Sequence, residues 1–232
     1  MNTNKKTARL AGLLYFIYIA ATIFANATRT ELIVFGDAAA TADRILASEG
    51  LFRLGFVSDA LAGVLFLLTA WALYVLLKPV DKNIALLFLV LNLGGVAVQC
   101  LNMLNLFSAA LLLGGADYLK VFPADQLQAL AMFFLQLHKN GFMIAQFFFA
   151  AWLLPLGYLV FKSGYLPKAL GVIVMIECFG WLMYPFQFFL FPAWEALSYL
   201  SFAVGFAGEF GLTLWLLIMG AKEAPSSLGR ES

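Results

Sequence analysis

SGYLPKALGVIVMIECFGWLMY, residues Ser163 to Tyr184, opens as a turn and continues as an almost wholly apolar run. Gly164 accepts positive φ, and Pro167 suits the first turn of a helix because it has no N–H to satisfy there. Lys162 and Lys168 flank the turn, and Glu177 alone interrupts the apolar run. Counted from Pro167 at ~1.5 Å per residue, Glu177 falls roughly 15 Å along the helix, about halfway across a ~30 Å hydrocarbon layer. The stretch therefore reads as a membrane span carrying a carboxyl group at mid-depth.

The rest of the chain agrees. Of 232 residues, 63% are hydrophobic and 12% charged, with mean hydropathy +0.92. A soluble domain has about 25% charged residues, so lipid must solvate much of this chain. The net charge of +1 gives no case for a nucleic-acid partner. Cys100 and Cys178 lie in apolar runs without a CxxC pattern and read as core thiols.

Hydropathy outlines an all-α bundle in one integral membrane domain, 1–232, with spans at about 8–25, 54–77, 84–113, 142–161, 166–184 and 195–220. The first apolar run is too long for a signal-peptide h-region and reads as a retained span. Two further helices, about 38–47 and 124–137, read as interfacial, the former with Asp37 as N-cap. A polar tail covers 221–232. A continuous helix from Gln126 to Phe161 would measure ~54 Å, so a break is expected at His138-Lys139-Asn140-Gly141, with a kink at Pro155. Trp152, Trp181, Trp194 and Trp215 are candidate interfacial anchors.

Even-numbered spans put both termini on one side. With the N-terminus inside, Lys5, Lys6, Arg9, Lys78, Lys82, Lys162, Lys168, Lys222 and Arg230 are inside and Arg29, Arg44, Arg53, Lys120 and Lys139 outside, nine against five. The positive-inside bias selects N-in, C-in, in the cell (inner) membrane.

The segments ARLAGLLY, ASEGLFRLGFVSD, LYVLLKPVDK, NMLNL, QLQALAMFFLQLH, SGYLPKALG and GEFGLTLWLLIMG, in this order along nearly the whole chain, resemble the bacterial membrane family labelled domain of unknown function 4386. The resemblance implies a polytopic membrane protein of unassigned activity. Asp59, Asn102, Asn105, His138 and Glu209 stand in matching stretches. Glu177 does not, and Tyr184-Pro185 stand where the family pattern implies an acid.

Glu209, 13 residues before Lys222, is the second mid-depth acid. Such a group costs on the order of 2.5–3.5 kcal/mol to insert and faces the bundle interior, as a functional site or as a hydrogen-bonded tie between helices. On the third span Asn92 and Gln99 differ by about 20° round the helix, and Asn102 lies a further ~60° on. With Asn105 they form a polar stripe, and the expected partners of Glu209 are this stripe and Glu177. The ridge Ala203, Ala207, Gly211 would allow close helix approach. The expected site is thus a polar core of Glu209, Glu177, Asn92, Gln99, Asn102 and Asn105, lined by the third, fifth and sixth spans and covered by two outer helices. Asp59 paired with Arg53, and the single histidine His138, are candidates at the outer interface.

No metal-binding spacing, P-loop, dinucleotide fingerprint, nucleophile elbow or zincin motif occurs, so no metal site, cofactor or catalytic residue is assigned. The reading favours a non-enzymatic role: small-molecule or ion binding, transport or sensing, with lipid as solvent and a small-molecule ligand or protein as partner. A membrane enzyme or cofactor-binding protein, and a structural or chaperone-like membrane partner, are the alternatives.

Overall fold

The computed structural model describes residues 3–222. The tail from residue 223 onward, including Arg230, lies outside the described residues. The order is α1 (Thr3–Leu32), α2 (Ala38–Ala47), α3 (Glu49–Leu77), α4 (Lys82–Leu113), a 3-10 turn (Asp117–Leu119), α5 (Ala124–Ala151), α6 (Leu153–Lys162), α7 (Lys168–Leu190) and α8 (Ala196–Ile218). No strand occurs among the described residues. Six helical stretches, with α5 and α6 counted as one, are long and apolar enough to cross a membrane. The protein is an all-α, multi-pass integral membrane protein.

Several boundaries differ from those read in the sequence. No break occurs between Leu137 and Phe142, because α5 runs through His138–Gly141 without interruption. Gly141 serves close packing instead: a Cβ there would overlap the Asn102 amide. The interruption falls at Trp152, three residues before Pro155, whose missing N–H cannot bond the carbonyl of Ala151. The 39 residues of Ala124–Lys162 would measure ~58 Å as a helix, so part of that stretch reaches beyond the hydrocarbon layer. Helix α1 continues to Leu32, and α7 continues past Tyr184 and through Pro185 to Leu190.

The chain forms two compact units. The first comprises the described parts of Met1–Ile17, Val64–Val96 and Met143–Ser232. Its core is aromatic and centres on Trp152, which is fully buried rather than interfacial. Phe66 meets Trp152 edge-on at 5.0 Å between centroids, with Phe88 at 6.2 Å and Tyr15 at 6.3 Å. Glycines set the helix approaches. A Cβ on Gly157 or Gly171 would lie 2.7 Å from the other's carbonyl oxygen, which joins α6 to α7 with almost no side chain between them. On α8 the buried positions are Ser201, Gly205, Gly208, Leu212, Thr213 and Leu216, while Ala203 and Ala207 of the expected ridge are exposed. The close face of α8 is therefore the glycine face: a Cβ on Gly205 would strike the Trp181 indole at 2.5 Å, and one on Gly208 would overlap the Glu177 carboxyl.

The turn between α6 and α7 is tied down by Tyr165, whose hydroxyl donates to the Leu76 carbonyl at 2.5 Å. Burial pushes the Tyr165 phenol up, so it remains a donor. Gly164 takes φ +71° in this turn, as its sequence setting predicts.

The second unit comprises Tyr18–Gly63 and Ala97–Phe142. Its core joins Leu32, Ile45, Phe52, Met103, Leu106 and Leu135. Asp37 caps α2, its carboxylate accepting from the Ala40 N–H at 2.9 Å. The apolar side of α2, with Ala42 and Ile45 buried, closes over this core.

Candidate functional site

The structure sorts the polar residues into two clusters, one in each unit. In the first unit, α7 contributes Glu177 and Trp181, α8 contributes Gly208, Glu209 and Thr213, and α1 contributes Tyr15. Glu177 is fully buried. Its carboxyl lies against the bare backbone of Gly208, where a side chain would exclude it. The Trp181 indole N–H, one turn along α7, donates to Glu177 Oε1 at 3.3 Å, and the same indole faces the Glu209 carboxyl. The Tyr15 hydroxyl donates to Glu209 Oε1. The two carboxyl groups interact electrostatically, and among the described residues neither forms an ion pair.

Several polar atoms in this unit are buried without a hydrogen-bond partner. They are Glu177 Oε2, Thr213 Oγ1 one turn beyond Glu209, both amide atoms of Asn92, and the Trp152 indole nitrogen. Buried polar groups are paired in the great majority of cases, so orphans concentrated in one unit need a reason. The donors around the two carboxyl groups come from Tyr15 and Trp181.

The second cluster lies in the other unit. Asn102 Nδ2 donates to the His138 carbonyl at 2.8 Å, and His138 Nδ1 lies 3.3 Å from the Asn102 carbonyl. A carbonyl only accepts, so the proton is on Nδ1. Asn105 donates to Asn102 Oδ1 at 3.1 Å, and Asn102 also approaches Gln99 Oε1 at 3.3 Å. Three of the four stripe residues thus form a tie between α4 and α5. Asn92 belongs to the first unit, and the Asn102 contacts run to His138 rather than to a glutamate.

The expected pair of Arg53 with Asp59 does not form. Asp59 pairs with Arg29, a partner the sequence reading missed, and Arg53 pairs with Glu49 at 2.5 Å. Residues six apart on a helix point in widely different directions, whereas four apart share a face. Arg29 is within reach because Thr28 packs into the space left by Gly55, which brings the end of α1 against α3. His138 lies in the field of both Arg29 and Asp59. Cys100 is exposed rather than in the core, Cys178 is buried, and both are free thiols. No group of three or more His, Cys, Asp or Glu side chains suited to a metal ion occurs among the described residues.

A family model described as domain of unknown function (DUF4386) matches residues 10–220. The chain belongs to the DUF4386 family. The match spans both polar clusters of this DUF4386 protein, Tyr15 and Glu209 included. Its sequence is also similar to a protein of Archaeoglobus fulgidus named only "Uncharacterized protein", at 32% identity over 159 residues, which cover 68% of this chain and 79% of that relative. No solved structure matches the DUF4386 chain.

Proposed function

We propose that this DUF4386 protein binds a small monovalent cation, the proton included, at Glu177 and Glu209 within the membrane, as part of a transport or sensing role. The observation that carries the reading is the pair of interacting carboxyls in an apolar bundle, Glu177 fully buried and Glu209 partly so, unpaired with any described cationic side chain. A cation between two carboxyl groups offsets their charge where water does not. Tyr15 and Trp181 orient the acceptors, and the glycine face of α8 leaves room for the Glu177 carboxyl. The lysine and arginine distribution supports insertion in the cell membrane with both termini in the cytoplasm.

Carbodiimide modification of the full chain in liposomes tests the site, because the reagent consumes carboxylic acids held in apolar surroundings. Peptide mass spectrometry should find adducts at Glu177 or Glu209. Sodium should slow their formation if the guest is a metal cation and leave it unchanged if the guest is the proton. Reconstituted Glu177→Gln and Glu209→Gln variants should fold normally and lose the cation response. Absence of modification at both glutamates, with Gln variants that retain the wild-type response, would reduce the cluster to a tie between α1, α7 and α8.

A further inference from the structure

A second site lies in the other unit and is independent of the carboxyl pair. A groove of about 600 Å³ runs between the end of α2, the first turns of α3 and the last turns of α4. This volume is within the ~300–1,000 Å³ range of sites that bury small organic ligands. Its floor is apolar, with Ile45, Phe52, Phe56, Phe107 and Ala110 among the lining residues, whereas Glu49 and Arg53 stand together on its wall. Counted at ~1.5 Å per residue, Val57 is roughly 12 Å down α3 from Glu49, and Phe107 roughly 10 Å down α4 from Gly114. One end of the groove therefore meets the helix termini and the other reaches into the apolar part of the spans. The loop beyond α4 exposes Tyr118, Val121 and Phe122, the kind of side chains that settle at the headgroup level.

The charges on the wall specify the occupant. Arg53 and Glu49 hold each other at 2.5 Å yet are largely exposed, at 74% and 55%. Arg53 uses part of its guanidinium fork on Glu49 and keeps other N–H groups for a phosphate oxygen, while Glu49 keeps lone pairs for a donor. A guest that satisfies both has a phosphate and a primary ammonium a few atoms apart, with an apolar tail to fill the groove below. The geometry points to a phosphoethanolamine lipid bound with one acyl chain between α3 and α4 and its headgroup on the Glu49–Arg53 pair. A phosphocholine head cannot donate a hydrogen bond to Glu49, and a phosphoglycerol head donates only neutral hydroxyls and brings no positive charge to it.

The test is native mass spectrometry of the purified full chain in detergent with equal amounts of phosphatidylethanolamine, phosphatidylcholine and phosphatidylglycerol. An ion pair with an exposed side chain is worth up to about 1 kcal/mol, or roughly fivefold in affinity. The ethanolamine lipid should be retained a few-fold better, up to about fivefold, than the other two. Arg53→Ala should lower retention of all three, Glu49→Gln should remove only the advantage of ethanolamine over choline, and Ala110→Trp should block the groove to each. Both charged positions are exposed, so their variants keep the fold. Equal retention of the three lipids with Arg53→Ala unchanged would mean annular lipid only, and preference for the glycerol lipid would mean an anionic site. Either result overturns the inference.

Discussion

Asn102 occupies the space in which a side chain at position 141 would have to sit. A Cβ on Gly141 would overlap the Asn102 amide, whose nitrogen is held by the His138 carbonyl at 2.8 Å. Two helices are thus joined by a polar side chain set against a bare backbone, a close approach that only glycine permits. Gly141→Ala should therefore lower stability by about 1–3 kcal/mol through overpacking and disturbance of the buried amide bonds. Gly50→Ala is the control: nothing lies within 4 Å of that Cβ, and at the second residue of α3 alanine carries no packing cost. Thermal unfolding followed by loss of monodisperse protein in detergent should lower the midpoint for position 141 and not for position 50.

The ion pairs at the two ends of the first turns of α3 should differ sharply in worth. Arg29 and Asp59 side chains are 20% and 9% exposed, against 74% and 55% for Arg53 and Glu49. Removing one member of a fully buried pair strands a charge and costs about 3–5 kcal/mol, and an exposed pair is worth ~0–1 kcal/mol; the part-buried Arg29–Asp59 pair falls between the two. Asp59→Ala should therefore reduce the yield of folded protein clearly and Glu49→Ala barely. Arg29→Ala combined with Asp59→Ala should recover part of the loss, because no unpaired charge is left. Equal yields for the two single variants would contradict this ranking.

How far the sequence could be read depended on the range of the signal. Apolar runs broken by Lys-Pro-Val-Asp-Lys or Ser-Gly-Tyr-Leu-Pro report local hydropathy, so the helical bundle and its six apolar stretches were legible. Glu177 and Glu209 announced themselves as carboxyls in apolar runs. Tyr15 did not, because one tyrosine in an aromatic-rich span looks like any other contact with lipid; its hydroxyl is informative only beside Glu209, 194 residues away. Trp181 carried a fainter sign, at i,i+4 from Glu177. The partner of Asp59 was misread because proximity in sequence was taken for proximity in space: the true partner lies 30 residues before it. The break expected at His138–Gly141 rests on the length of the apolar stretch, but the helix runs on past the hydrocarbon layer instead of breaking. Within a membrane protein the same residues mark a close helix contact.

Topology is open to direct test. Reporter fusions at Lys82 and Lys168 should register in the cytoplasm, and fusions at Ala38, Asp117 and Trp194 outside. This follows from the concentration of lysine in the turns containing Lys78, Lys82, Lys162 and Lys168. A cytoplasmic signal at Asp117 would overturn the assignment.

Gly208 allows the carboxyl site to be perturbed without removing any of its polar groups. A Cβ there would overlap Glu177 Oε2, the far end of a flexible side chain, so the fold can adjust by turning the carboxyl away. In the helix interior alanine is favoured over glycine by ~1 kcal/mol. These opposing effects should leave the stability of Gly208→Ala close to that of the parent while moving Oε2 from its place. If position matters for the guest, carbodiimide modification at Glu177 should change by about tenfold, a shift of roughly 1.4 kcal/mol. In a Glu177→Ala background the carboxyl clash is gone and only a 3.3 Å contact with the residue-177 Cβ remains, so the same substitution should be more favourable there than in the parent. The difference between the two backgrounds is the coupling between residues 177 and 208, expected at ~0.5–3 kcal/mol for groups in contact. Identical effects of Gly208→Ala in both backgrounds would show that the glycine is not there to accommodate the carboxyl.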